Sequence, residues 1–288
     1  MSIDTRFTTR VLGASAIALL SVSSLVACSA DSGSSVAEDC TPAHEGLSTI
    51  TAGELTIASY DYAPATIIDG DGLTGMEGDL VTEIAAMECL KLTVTSSGGA
   101  GAVIPSVQTQ RADLGSGNWL RTTERAEIVY MSTPLWLNNE AVVSTSGLTS
   151  DDLEGKKVGS VAGNLYNESL AAWLGDDFTV YQDDEAIYSD LEAGRIDALV
   201  ASETSAIGRF KSSPIEGATV IPVEPNEHVA EWSAVGQVMW PSSLENEAFG
   251  KAIDEDIEKL REDGTIAEIL EKYDIDPSVG EPGEPTEL

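Results

Sequence analysis

Apolar residues along this chain recur in two alternating patterns. Short runs of consecutive or alternate apolar residues mark strands, and apolar residues three or four apart mark helices. Glu54–Ser59 (ELTIAS) is the first strand, and residues 75–87 follow as a helix with Met76, Leu80, Ile84 and Met87 on one face. Residues 90–95 read as a strand, 102–110 as a short helix, and 113–117 as a strand that stops at a Gly-Asn turn. A short helix carrying Glu124 and Arg125 comes next, then an extended run ending at Pro134-Leu135-Trp136. Later come a strand at 157–161, a helix at 165–174, a helix at 184–193 and a strand at 197–201. The longest helix, 244–263, carries a core stripe of Phe249, Ile253, Ile257 and Leu260. Ser242 and Glu245 read as its capping box, and Gly264 as its left-handed stop. Strand-then-helix repetition of this kind predicts an α/β chain of mostly parallel sheets flanked by helices.

The rhythm occurs twice. Gln110-Arg111-Ala112-Asp113-Leu114 and Gly194-Arg195-Ile196-Asp197-Ala198 both set Arg-x-Asp between a helix and an apolar strand. Two similar lobes are expected, which the chain length also favours. The first is assigned residues 48–141 and 235–275, and the second 142–234. The chain crosses once within 140–146 and returns within 223–234, and two such crossings form a hinge that lets the lobes close on a ligand.

The N-terminus reads as an export signal. Arg6 and Arg10 precede an apolar run at 11–27, too short to span a bilayer, which ends at Leu25-Val26-Ala27-Cys28. That ending looks like a bacterial lipobox, in which Cys28 takes a lipid and becomes the first residue of the mature chain. Residues 28–47 are then a tether, small and polar at their start, and 276–288, rich in Pro, Gly and Glu, a disordered tail. A formal charge of −34 argues against nucleic acid as a partner. It also means that an anionic ligand needs a local positive focus. With Cys28 acylated, Cys40 and Cys89 remain as a pair in an oxidising compartment. Their disulfide would stabilise by about 4 kcal/mol in the chain-entropy model. The cysteines, His44 and His228 show no metal-ligand spacing.

The stretch Arg111 to Trp136 carries the chemistry. A strand stopping at Gly117 leaves backbone N–H groups at a crevice, and Arg125 lies one short turn away. Its planar fork of donors matches a carboxylate in two parallel bonds. Alone, such an Arg reads as a surface residue paired with Glu124 or Glu127. It is not alone: the order helix, Arg-x-Asp, strand, Gly, Thr-x-Glu-Arg, apolar strand, Ser-x-Pro-aromatic resembles the extracellular solute-binding proteins of family 3. These are the polar amino-acid-binding subunits of ABC importers, and the likeness runs from about Gly53 to Tyr273. It implies a two-lobed periplasmic-binding-protein clamshell of type II. It further implies a monomer, without cofactor or metal, held by a lipid anchor on the outer face of the bacterial cytoplasmic membrane, where it would pass a small carboxylate-bearing ligand to the importer's membrane subunits.

The resemblance implies ligand-binding roles for Tyr62, Gly117, Asn118, Trp119, Arg125, Gly163 and Asn164, the last opening a helix whose free N–H groups meet a carboxylate. Three departures stand out. The acid that holds an α-ammonium in the family falls at Ser202, with Glu203 beside it. Gly98 to Ala102 replaces an aromatic, and Asn118-Trp119-Leu120 occupies the turn after Gly117. A buried ammonium without a counter-charge costs several kcal/mol, about the scale of a broken buried ion pair. The expected ligand is therefore an organic acid rather than a standard α-amino acid. An exported enzyme on the same fold, similar to cyclohexadienyl dehydratases, would need a placed acid such as Glu77, Glu140 or Glu203. A ligand-sensing module for a membrane partner is the other alternative. No Gly-rich phosphate loop and no Gly-x-Ser-x-Gly elbow is present.

Overall fold

The computed structural model describes Val36 and residues 39–288. The expected signal at 1–27 and the acylation site Cys28 lie outside the described residues. No described helix is long and apolar enough to cross a membrane.

Two five-stranded sheets organise two lobes. In the first, the order is Lys91–Ser96, Glu54–Ser59, Leu114–Gly115, Pro241–Ser242, Tyr130–Met131. The first three strands are parallel, and Pro241–Ser242 enters antiparallel to both its neighbours. Helices α1 (Met76–Met87), α2 (Val103–Gln108) and α3 (Thr123–Ala126) belong to this lobe. The second sheet has the order Phe178–Tyr181, Val158–Val161, Ala198–Ser202, Glu140–Ser144, Thr219–Pro222. It is parallel across its first three strands and antiparallel beyond. It carries α4 (Asn167–Leu174), α5 (Asp184–Glu192) and α6 (Glu203–Ser212). Helices α7 (Glu247–Glu262) and α8 (Thr265–Lys272) then rejoin the first lobe.

The central strands Glu54–Ser59, Glu140–Ser144, Val158–Val161 and Ala198–Ser202 are largely buried because both faces are covered. Leu55 and Ile57 face α1, α7 and α8, while Ala58 faces Val103 and Val107 of α2. In the second lobe Val142 and Val200 pack with Leu170 and Leu174 of α4, and their neighbours Val143 and Leu199 pack with Ile187 and Leu191 of α5. The period-two alternation of a strand thus feeds two separate cores.

The repeated Arg-x-Asp has a structural meaning. Asp113 accepts the backbone N–H of Thr56 at 2.8 Å and returns its own N–H to the Thr56 carbonyl at 2.8 Å. Asp197 makes the same pair with Lys157, at 2.8 Å in each direction. In each lobe the Asp sets the register between two parallel strands. Asp113 is buried and also takes the Ile50 N–H, whereas Asp197 is exposed.

Several boundaries differ from the sequence reading. Glu140–Ser144 lies wholly in the second sheet, so residues 140 and 141 belong to the second lobe and the crossing is earlier, at Asn138–Asn139. There Leu137–Asn138 pairs antiparallel with the returning strand Gly236–Met239. The last long helix opens with a 3₁₀ turn, Leu244–Asn246, capped by Ser243, whose hydroxyl accepts the Glu245 N–H at 3.2 Å. Ser242 is buried in the sheet instead.

Both ends of the described chain are tied down. Residues 40–47, read as tether, are fixed by the Cys40–Cys89 disulfide (Cα–Cα 5.8 Å) and by the Ala43 N–H on the Met87 carbonyl at 3.0 Å. The tail, read as disordered, forms a 3₁₀ turn at Pro277–Gly280 and then runs over the returning strand. The Gln237 amide donates to the Pro282 and Glu284 carbonyls at 3.0 and 2.9 Å and accepts the Thr286 N–H at 2.7 Å. One buried amide supplies the partners that composition alone does not reveal.

The two Arg-x-Asp aspartates should differ in worth. Asp113→Ala strands buried donors and should cost about 2–3 kcal/mol, whereas Asp197→Ala, at an exposed site, should cost about 1 kcal/mol or less. Urea unfolding of both variants beside the parent checks this ordering.

Candidate functional site

Between the lobes lies a cleft of about 450 Å³. Its first-lobe wall begins with the turn after Leu114–Gly115. Tyr60 donates its hydroxyl to the Gly117 carbonyl at 2.9 Å, and its ring lies so close that a Cβ on Gly117 would stand 2.2 Å from it. Gly117 also has φ 126°, so both space and backbone require glycine there. Tyr62 stands beside Tyr60, with ring centroids 5.9 Å apart.

The free N–H groups expected at this turn are already taken. Glu77, in the first turn of α1 and fully buried, accepts the Gly117 N–H at 3.1 Å, the Asn118 N–H at 2.5 Å and the Trp240 indole N–H at 2.7 Å. Burial pushes its carboxyl up to about 7, with the three donors pulling the other way. Gly117 and Asn118 line the cleft but hold the turn's shape rather than offer it amides.

Arg125 does reach the cleft. Thr122 caps its short helix, the guanidinium lies over the Trp119 ring at 4.6 Å, and Nη1 donates to the Leu120 carbonyl at 2.5 Å. Burial lowers its pKa to about 10, which still leaves it fully charged at neutral pH. Among the described residues it makes no ion pair, unlike Arg121, Arg195, Arg209 and Arg261. The surface pairing with Glu124 or Glu127 does not occur.

The second-lobe wall departs further from expectation. Gly163 and Asn164 line the cleft, but α4 begins at Asn167 rather than at 165. Asn164 donates its amide to the Ser160 hydroxyl at 2.9 Å, and Asn167 donates its own to the Val161 carbonyl at 2.8 Å. No helix terminus therefore opens at Asn164. Ser202 is buried behind the wall, its hydroxyl on the Asn138 carboxamide oxygen at 2.7 Å, and Thr204 reaches the same oxygen at 3.2 Å. Neither Ser202 nor Glu203 lines the cleft. Both instead fasten the hinge, since Glu203 donates its backbone N–H to the Asn139 carbonyl at 2.9 Å.

Acids other than Glu203 line the cleft on the second-lobe side. Glu140, the first residue of the crossing strand, lines the cleft between Tyr62 and Tyr166. Burial raises its carboxyl to about 7, and the Tyr166 hydroxyl favours the charged form. Asp184, at the start of α5, also faces the cleft, its pKa raised by burial against the field of Arg209. In the sequence Glu140 stands out only as an acid open to the enzyme reading and as a residue beside a crossing point; its neighbours come from distant segments.

The lobes meet on both sides of this cleft. Ser205 donates to the Ala63 carbonyl at 3.1 Å, and a Cβ on Gly163 would lie 3.9 Å from that of Ala100. Two α/β lobes on a two-strand hinge, meeting over a pocket with one unpaired cation and several acids, define a protein that encloses a small solute.

Residues 55–275 match the model of the bacterial extracellular solute-binding proteins, family 3, and the chain belongs to that family. It is 28% identical over 226 residues to the lysine/arginine/ornithine-binding periplasmic protein of Escherichia coli K12, covering 74% of this chain and 84% of that one. It is 27% identical over 219 residues to the L-cystine-binding protein TcyJ of the same organism, covering 74% and 79%. Among solved structures, an ancestral arginine-binding protein bound to glutamine superposes with TM-score 0.65 at 24% identity, covering 78% of this chain and 99% of that one. The arginine-, lysine-, histidine-binding protein ArtJ of Geobacillus stearothermophilus superposes with TM-score 0.66 at 18% identity, covering 81% and 97%. The type II clamshell expected from the sequence is the fold observed, and the relatives bind solutes rather than transform them.

The raised carboxyls of Glu77 and Glu140 give stability a direction with pH. The folded chain holds these protons more tightly than the unfolded one, so the stabilisation is complete below about pH 4.5 and is lost as pH rises through about 7. Unfolding free energy should be higher at pH 5 than at pH 8, and Glu77→Gln should flatten part of that slope. The same variant sets an amide N–H2 against donors and should lose about 1–3 kcal/mol overall, measured by urea unfolding at both pH values.

Proposed function

We propose that this chain captures an amino acid between its lobes and delivers it to the membrane subunits of an ABC importer. The observation that carries this reading is the division of charge in the cleft: unpaired Arg125 on the first lobe, and Glu140 with Asp184 on the second. Arg125, steadied on Trp119 and by the Leu120 carbonyl, keeps donors for the ligand's carboxylate. Glu140 replaces the acid missing at Ser202 and takes the α-ammonium. A cation beside it stabilises the ionised carboxylate, offsetting the burial that raises its pKa. Asp61, Asp183 and Asp184 extend the acidic lining, which favours ligands with a second positive group. The names of the relatives, which bind lysine, arginine, ornithine, histidine or cystine, support the same class. This replaces the organic acid expected from Ser202 alone. Acylated Cys28 would hold the mature protein on the outer face of the cytoplasmic membrane.

Calorimetric titration with L-amino acids should show tightest binding for those with a cationic side chain. Arg125→Ala should weaken binding at least a hundredfold, since a charged, desolvated partner is lost. Glu140→Gln should weaken amino acids more than carboxylates that lack the amine. For the parent, affinity should fall below about pH 7 with proton release on binding, and Glu140→Gln should remove that dependence. Equal affinity for plain carboxylates in both proteins would return the ligand to the organic acids. Separately, Cys28→Ala should move the exported protein from the membrane fraction to the soluble one, followed by immunoblotting.

A further inference from the structure

Outside the cleft, the fold gathers one histidine and two buried carboxylates from three segments far apart in sequence. His44 comes from the N-terminal segment, Glu88 from the C-terminal end of α1, and Asp256 from the middle of α7. One ligand atom from each lies within 4.8 Å of the others. His44 Nδ1 is 2.7 Å from Glu88 Oε1 and 3.8 Å from Asp256 Oδ1. Glu88 and Asp256 are 3% and 1% exposed, and His44 gives the cluster its opening to solvent.

Two features go beyond a group of acids. Asp256 Oδ2 is buried with no donor directed at it, and the Asp256 carboxyl lies beside that of Glu88. The other ring nitrogen of His44 is held by a carboxylate as well, Nε2 lying 3.1 Å from Glu255 Oε2. A ligating histidine characteristically donates its second N–H to a carboxylate, which fixes the tautomer and frees the opposite nitrogen for the metal.

We propose that His44, Glu88 and Asp256 bind a divalent transition-metal ion, of the Zn²⁺ type, with Glu255 orienting the histidine. One nitrogen and two carboxylate oxygens form a three-ligand set suited to Zn²⁺, with a fourth position for water. A hard cation such as Ca²⁺ or Mg²⁺ favours oxygen ligands alone and is excluded by the imidazole. The ion would clip the N-terminal segment 40–47 to both α1 and α7, next to the Cys40–Cys89 disulfide. None of these residues lines the cleft, so the proposal stands apart from the solute reading.

The test uses the mature protein with Cys28→Ser, freed of metal with a chelator and titrated calorimetrically with ZnCl₂ alone. One saturable equivalent and a raised Tm are expected, and Co²⁺ should give a visible d–d absorption band. His44→Ala and Asp256→Asn, each checked for fold by circular dichroism, should abolish the saturable equivalent and the band. Glu255→Gln should weaken Zn²⁺ about tenfold. If His44→Ala does not fold, His44→Gln takes its place. The proposal is overturned if the parent binds no stoichiometric Zn²⁺, if the variants bind as the parent does through the general acidic surface, or if Mg²⁺ and Ca²⁺ raise Tm as much as Zn²⁺.

Discussion

The buried carboxylate of Glu77 is the point on which the cleft depends. It gathers the backbone amides of Gly117 and Asn118 and the indole of Trp240. These three groups belong to a turn and to the residue that follows the returning strand, and Glu77 itself to α1, so one side chain joins three segments that are remote in sequence. Without an acceptor, each donor would be a buried polar group cut off from water. With it, the turn closes tightly enough to seat Tyr60 against Gly117. The wall that presents Trp119 and Arg125 follows from that closure. The shape of the cleft thus rests on a carboxylate that does not line it.

The hinge shows similar economy. Leu137–Asn138 and Gly236–Met239 form two short strands between lobes, and a Cβ at Gly236 would lie 3.3 Å from the Asn138 carbonyl and closer still to Leu120. Ser202 and Thr204 grip the Asn138 side chain from the second lobe. Glu140 sits two residues beyond, so the acid assigned to the solute is attached directly to the part of the chain that bends.

Much of this was legible in the sequence because it is local. The first strand, the stripe of α1 and the stripe of α7 follow from periodicity, and Arg-x-Asp marks the same structural joint in both lobes. Arg125, which alone read as a surface residue, reaches the cleft as the family resemblance implied. What was misread depends on partners from afar. Counting along the chain placed the missing acid at Ser202, but the acid that lines the cleft arrives on another strand. Asn164 looked like a helix cap, yet the nearer Ser160 hydroxyl takes its amide and the helix opens later. The acidic tail lacks apolar content, and its place is held by the Gln237 amide and by the Leu288 N–H on the Arg121 carbonyl. His44, Glu88 and Asp256 share no spacing at all, and only the packing of α1 against α7 brings them together.

The pairing of Asn138 with Gly236 also has a consequence for the order of assembly. The second lobe is a single excursion whose entry and exit lie side by side, so every strand and helix of its core is contiguous in sequence. The first lobe must wait for Pro241–Ser242 to enter its sheet and for α7 and α8 to cover one face. Contacts of short sequence separation form sooner than those of long separation. The inserted lobe can consolidate as a unit while its host is still half a core. Between those two moments the apolar side of α1, with Leu80 and Ile84, stands uncovered by the C-terminal helices. That interval is the period in which an emerging chain is most exposed to sticking to its neighbours.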